Sequence, residues 1–470
     1  MASPESDYIF VDHEDCLPSK RDADPDLAHL PEISDFIDNQ VAEALWPVNK
    51  AIHDNPELGY HEVIAHDALT SFIESRSGWN VTRHAYGIKT AWTAVYDSGR
   101  PGPVVSFNAE MDALPIIGHA CGHNLIASAS VAAALATAHI FSLSPSPLSN
   151  KIPGGAVLLI GTPAEEGGGG KIRLLKQGAY SSPPLNHPHL SPPSISLISH
   201  PGSIPATALV HTTAYSRFRV EYFGKEAHAA AEPWKGINAL DALIIAYNSV
   251  SVLRQQTMPG DVIQGCITNG GARPNIIYAY AAGVFVIRAR TRERLEELRK
   301  KVEACFEAGE MASGCEMALT RLGEYADHVP NRRLGGRYTA YWNRLVESDF
   351  ADDGTKASQA NEKEKWRPDK IPEDQDVDEM RGMSGASSDQ GDVSYALPSL
   401  MPGFEIPTGE EGDVGPHNPG FARAAGTKEA YECALRVGKA LAGTAIDVLV
   451  RKNLLRDVER EFGNGPGKED

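Results

Sequence analysis

Apolar positions recur along this chain with two different periods. In PEISDFIDNQVAEALWPVNKAIHDNPELGYHE, which opens at Pro31, the residues Ile33, Phe36, Ile37, Val41 and Leu45 follow helical spacing, and ordered structure is expected to begin there. Further on, SRFRVEYF alternates Phe218, Val220 and Tyr222 with Arg217, Arg219 and Glu221, the period of a half-buried strand. GINALDALIIAYNSVSVLRQQ returns to the helical period and places Ile237, Leu240, Ile244 and Tyr247 on one stripe, expected to face a core. Two strand-like stretches follow, DVIQGCITNGG and NIIYAYAAGVFVIRAR, then a charged amphipathic helix, TRERLEELRKKVEACFEAG, then CEMALTRLGEY. The order β-α-β-β-α-β over residues 212–323 is that of a ferredoxin-like α+β unit, expected as an insertion.

On either side, short β-rich runs alternate with helical patterns, as a sheet between helices requires. The predicted architecture is α/β: a central mostly parallel or mixed sheet formed from 31–211 and 324–470, with the inserted unit between them and a flexible tail over 1–30. Three runs end in chemistry. VVSFNAEMDALP ends at Glu110 and Asp112, GAVLLIGTPAEE at Glu165 and Glu166, and SISLISHP at His200. Ligands of open α/β sheets gather at the carboxyl ends of strands, so one pocket is expected to collect these groups. Three stretches read as surface loops, SLSPSPLSNKIPGG from Ser142, SSPPLNHPHLSPPS from Ser181 and the charged segment from Ala351.

A length of 470 residues exceeds what one hydrophobic core usually organises, which agrees with two units. A net charge of -18 argues against nucleic acid and anionic membrane as partners. No apolar stretch is expected to reach the ~18 residues that a membrane span needs. The six scattered cysteines suit a reducing compartment, and the acidic N-terminal segment lacks an apolar signal core, so a cytoplasmic protein is expected.

HACGHN places Cys121 and His123 just ahead of a run of small helix formers that Asn124 could cap. Alone, Cys121 reads equally well as a buried thiol. Together, a thiolate and a neutral imidazole are good ligands for zinc and its neighbours. GTPAEEGGGGKIRLL offers paired carboxylates before four glycines. It is not a phosphate loop, because Ile172 follows Lys171 and Glu165 occupies the leading glycine position of that motif. Paired glutamates at a strand end instead suit a division of labour, one on metal and one handling protons. His200 and His417 are isolated, and each taken singly reads as a structural or surface histidine. His119 reads as a supporting or core histidine.

In order, AEMDALP, HACGHN, PAEEGG, SHPG, GKEAHAAAEPWKGINALDA, PNIIYAYAAGVFVIRARTRERL, SSDQGDVSYALP and HNPGF resemble the M20 metallopeptidases over about Pro31 to Leu454. The resemblance is to the amidohydrolase branch that holds the aminoacylase-like and aminobenzoyl-glutamate hydrolases and the M20-domain-containing dipeptidases. It implies a dinuclear centre of two divalent ions, zinc with manganese or cobalt as alternatives, held by Cys121, His123, Glu166, His200 and His417. It further implies Glu165 as general base, Asp112 as the group orienting a ligand histidine, and His228 as an oxyanion donor reaching a neighbouring subunit's site. Asn275 and Arg288 would face the substrate, and the inserted unit would be a lid that builds a homodimer. Where many members carry a histidine ligand, two residues before Asp112, this chain has Glu110. The HACGH branch also lacks that histidine, with Cys121 compensating. The expected activity is hydrolysis of an amide in a small acyl-amino acid or dipeptide-like substrate by a metal-activated water. The alternatives are an exopeptidase on longer peptides and a catalytically silent metal-binding homologue.

Overall fold

The computed structural model describes residues 27–143, 154–349, 366–409, 412 and 414–466. Most of the loop from Ser142, the first part of the segment from Ala351 and nearly all of the N-terminal tail lie outside them.

Two sheets organise the chain. Strands β1 (Trp79–Arg83), β2 (Trp92–Asp97), β3 (Val104–Glu110), β4 (Ala156–Thr162), β5 (Pro193–Leu197) and β13 (Ser399–Leu400) form the larger, in the order β1-β2-β4-β3-β5-β13. Pairing is antiparallel for β1 with β2 and β2 with β4, and parallel across β4, β3, β5 and β13, so the sheet is mixed. A parallel pair, β6 (His200–Gly202) with β14 (Gly403–Glu405), continues beyond the end of β5. β3 and β4 are buried along their whole length, as parallel strands covered on both faces are.

Helices α3 (Val63–Glu74) and α4 (His123–Ser142) pack on this sheet, α1 (Leu30–Phe36) and α2 (Ala42–Asp54) lie against α4, and Ile33, Ile37, Val41 and Leu45 are fully enclosed as their spacing required. The carboxyl-terminal half adds α9 (Arg332–Asp349), α10 (Gln375–Arg381), α11 (Gln390–Ala396), α12 (Pro419–Ala425), α13 (Lys428–Val450) and α14 (Lys452–Gly463). α5 (Glu165–Gly168) and α6 (Gly170–Lys176) carry the chain away from β4. α4 corrects one expectation, for it is 20 residues long and apolar enough by length and composition to cross a membrane. Here 89% of that window is buried inside the protein, against the sheet and α13, as befits a core helix.

The second sheet is antiparallel, in the order β12-β7-β11-β9, from β7 (Ala214–Phe223), β9 (Val262–Asn269), β11 (Tyr280–Ala289) and β12 (Glu316–Tyr325). α7 (Ala239–Leu253) and α8 (Arg292–Ser313) cover one face, giving the ferredoxin-like order, and a separate cluster around Leu243, Phe218, Phe285 and Phe306 forms its core. A ribbon of β8 (Ala227–His228) and β10 (Ile276–Ile277) stands apart, so the stretch read as one strand from Asn275 is broken in two.

The stripe on α7 is a second correction. Ala239, Ala242, Leu243, Ala246 and Val250 face the core, whereas Ile244 and Tyr247 are 42% and 37% exposed. The alanine-rich face lets the helix sit close to the sheet, Ile237 and Leu240 are half-buried against the same core, and Ile244 and Tyr247 are left outside.

Gly161 pairs with Trp92 where β4 approaches the site, and a Cβ there would collide with the buried indole. Gly161→Ala is expected to lower stability by about 1–3 kcal/mol, read as a lower denaturant midpoint with an unchanged slope.

Candidate functional site

The three parallel strand ends deliver the chemistry to one place. Glu110 is the last residue of β3, Glu165 and Glu166 follow β4 after Pro163 and Ala164, and His200 follows β5. His123 opens α4 rather than preceding it, with Gly122 at the cap position. Asn124 is not the cap. Its amide instead donates to Asn49 Oδ1 (3.0 Å) and to the Ala425 carbonyl (2.8 Å), tying α4 to α2 and α12.

Cys121 Sγ lies 3.3 Å from His200 Nε2, whose other nitrogen, Nδ1, is 2.8 Å from the Pro201 carbonyl. A proton on Nδ1 leaves Nε2 with a lone pair directed at the sulfur. His123 is set in the same way by Asp112, whose Oδ1 lies 3.2 Å from Nδ1. Asp112 also accepts the Glu165 N–H (3.1 Å) and the Glu166 N–H (2.9 Å), so one buried carboxylate fixes a histidine ring and the glutamate turn together. His123 Nε2 then faces Glu110 Oε2 at 3.4 Å, Glu166 Oε1 at 3.9 Å and Glu165 Oε2 at 4.0 Å. His417 Nε2 completes the ring 3.5 Å from Glu166 Oε1. His417 adopts a positive φ of 66° and its N–H donates to the Ala120 carbonyl at 2.8 Å, holding this exposed histidine against the HACGH segment.

The potential donor atoms fall into three overlapping sets, Cys121 with His123 and His200, Cys121 with Glu166 and His417, and His123 with Glu165 and Glu166, each within 4.8 Å. His123 Nε2, Glu166 Oε1 and Glu110 Oε2 are buried with no hydrogen-bond partner among the described residues. Unpaired buried acceptors of this kind carry a desolvation cost that a cation would remove, so the donor set fits divalent metal. Burial, then the charges of Glu110, Asp389 and Glu166, push the Glu165 carboxyl well above the usual carboxylate range.

The inserted unit is placed differently. Arg288, at the end of β11, donates from Nη1 to Ser387 Oγ (2.5 Å) and lies over the Tyr215 ring at 5.3 Å, and its charge slightly offsets the rise in His417 proton affinity that Glu166 causes. His228 and Asn275 are exposed and sit together on the β8–β10 ribbon, and their hydrogen bonds stay within the ribbon and its turn rather than reaching the metal-binding cluster. His228 Nδ1 accepts from the Ala230 and Ala231 N–H groups (3.2 and 3.1 Å), leaving the proton on Nε2 and that nitrogen free to donate outward. His119 is a buried neutral ring, its proton affinity pushed down to about 3 by burial, and its nitrogens support no ligand residue by a hydrogen bond.

Sequence reasoning missed the supports. Tyr325 donates its hydroxyl proton to the Glu165 carbonyl (2.8 Å) and accepts the Gly169 N–H (3.0 Å), while Glu62 Oε1 accepts the Ala164 N–H (2.8 Å). It also missed a buried lysine. Lys171 Nζ donates to Glu110 Oε1 (2.5 Å) and to Asp389, and its N–H donates to Asp389 Oδ2 (2.8 Å). Gly170 permits this, since a Cβ there would strike the Pro163 carbonyl and drive α6 off the strand end. The available signal was a lysine in an otherwise apolar, glycine-rich turn.

Residues 211–311 match the peptidase dimerisation domain of the M20 proteins. The chain is 37% identical to the Xaa-Arg dipeptidase of Mus musculus over 433 residues, covering 90% of each protein. It is 27% identical to a p-aminobenzoyl-glutamate hydrolase chain of Escherichia coli over 326 residues, 65% of this chain and 64% of that one. Its fold resembles a Bacillus subtilis structure described as a dinuclear metal binding peptidase from the M20 family, at a TM-score of 0.58 and 16% identity over 90% of this chain and 99% of that one.

Proposed function

Because the chain belongs to the M20 family and is a metal-dependent hydrolase of amide bonds in small substrates, we propose that it is a dipeptidase whose first class of substrate is dipeptides ending in a basic residue. The observation that carries the reading is the buried Glu165 carboxyl facing the donor cluster, with Oε2 4.0 Å from His123 Nε2. The similarity to an Xaa-Arg dipeptidase suggests the basic residue, and a net charge of -18 favours a cationic substrate through long-range attraction.

Cys121, His123 and His200 would hold one cation and Cys121, Glu166 and His417 the other, with the sulfur common to both. The thiolate favours zinc, and the carboxylate and imidazoles also accept manganese or cobalt. Bound cations would supply Lewis acidity toward the scissile carbonyl and make water more acidic. Glu165 takes the proton from the attacking water and returns it to the leaving amine, while Asp112 holds the His123 ring and the glutamate turn in register. Arg288, half-buried beside His417, is placed to receive the substrate carboxylate, with Asn275 as a further contact from the lid.

The same reading makes the protein a homodimer through the inserted unit. Its support is the exposed apolar stripe of α7, with Ile244 and Tyr247, and the edge strand β9, which exposes Val262 and Ile267. His228 would then serve the partner's site.

A rate screen on metal-loaded protein tests the substrate class. Xaa-Arg and Xaa-Lys dipeptides are expected to have the highest kcat/KM, acyl-amino acids lower values and tetrapeptides the lowest. Tetrapeptides cleaved faster than dipeptides would replace this reading with an exopeptidase.

A further inference from the structure

Lys171 is completely buried, and neither proton transfer nor the five proposed metal donors requires it. Its ammonium lies between two carboxylates that are equally enclosed, Glu110 and Asp389. With both carboxylates ionised the group carries one negative charge more than the lysine offsets. An excess charge in such a place is unstable unless a second cation faces it.

Geometry shows where that cation would be. Lysine engages Glu110 through Oε1, while Oε2 is buried, has no hydrogen-bond partner and points to His123 Nε2, 3.4 Å away, which is likewise unpartnered. Bonds of about 2.0–2.2 Å from a tetrahedral zinc separate two of its ligand atoms by about 3.4 Å. Glu110 stands beside the three donor sets rather than inside any of them. Its one donor neighbour at ligand spacing among the described residues is His123 Nε2.

We infer that Glu110 Oε2 is a further ligand to the cation held by His123, with Lys171 and Asp389 acting as the positioning pair that aims it. This rests on the metal-dependent reading above and deepens it. Sequence alone concealed the arrangement because Glu110, Lys171 and Asp389 come from the end of β3, the start of α6 and the residue before α11.

The test is metal binding, measured without substrate. Parent protein, Lys171→Met, Glu110→Gln and the double variant Glu110→Gln/Lys171→Met are stripped of metal and titrated with Zn(II) against a chromophoric chelator. Each is also loaded with Co(II) for its visible spectrum. Glu110→Gln alone leaves a buried ammonium short of a partner and is open to misfolding, so the double variant, which removes both charges, is compared with Lys171→Met on a common lysine-free background. The expected result is that the double variant binds one ion at least about tenfold more weakly than Lys171→Met, with a changed Co(II) spectrum. Equal stoichiometry, affinity and spectrum in those two variants would overturn the inference while leaving the metal centre intact. A parent that binds no metal would overturn the metal-dependent reading itself and this inference with it.

Discussion

Glu165→Gln is expected to keep its full complement of metal and lose turnover by at least ~10²-fold, toward the upper end of the ~10²–10⁴ that a general base contributes. The side chain is only 6% exposed, and its backbone is pinned on both sides, by Asp112 at the N–H and by the Tyr325 hydroxyl at the carbonyl. An amide of the same shape therefore occupies the same position, and what changes is the ability to accept a proton. Burial and the neighbouring Glu110, Asp389 and Glu166 charges raise the proton affinity of this carboxyl, which makes it a better base toward water than a free glutamate. Glu166 is the contrast. Its Oε1 is unpartnered and 3.5 Å from His417 Nε2, so Glu166→Gln is expected to lower metal content as well as rate. Elemental analysis beside kcat separates the two. Unchanged turnover in Glu165→Gln would remove this residue from proton transfer.

His228→Ala is expected to cost ~10²–10³ in kcat, the scale of a preorganised donor to a developing oxyanion, with little change in metal content. Among the described residues of one chain His228 makes no hydrogen bond to the cluster, yet its ring is locked by two backbone N–H groups in the tautomer that donates from Nε2. If the ring acts in a partner's site, mixing His228→Ala with Glu165→Gln subunits restores activity, because the mixed dimer rebuilds one complete site. Random pairing gives half mixed dimers with one working site in two, so about a quarter of parent activity is expected. Mixed dimers verified by mass that remain as inactive as the parents of the mixture would show that the site is built within one chain.

The parts of the fold that were legible share a physical cause. β7 alternates because one face of its sheet is covered by helices and the other is not, and Ile33, Ile37, Val41 and Leu45 are buried because α1, α2 and the helical turn Ile37–Val41 that joins them lie on one core. α7 was misread because it carries two apolar faces, and periodicity reports that a face exists without saying which one a core will take. The split of β10 from β11 was hidden since the run from Asn275 is apolar across the break. For the candidate site, the short motifs named residues that the structure gathers into overlapping donor sets, Cys121, His123, Glu165, Glu166, His200 and His417, with Asp112 holding His123 and the glutamate turn. Nothing in the linear sequence pointed to the supporting part of Glu62, Lys171, Tyr325 and Asp389, since each acts through hydrogen bonds to partners distant along the chain.

Local order therefore determined much on its own: the period of each element, the β-α-β-β-α-β order of the insertion, and the residue types able to hold a cation. Those depend on neighbours within a few positions, where steric and solvation preferences act directly. What only the tertiary structure decided is which apolar face of α7 meets a core, which nitrogen of His123, His200 and His228 carries the proton, and that Lys171 turns inward to Glu110. Those outcomes depend on how the folded chain sets atoms within about 3–4 Å of one another, from Asp112 beside His123 to Glu110 against Lys171, and hydrogen bonding of that kind has no counterpart in a linear pattern.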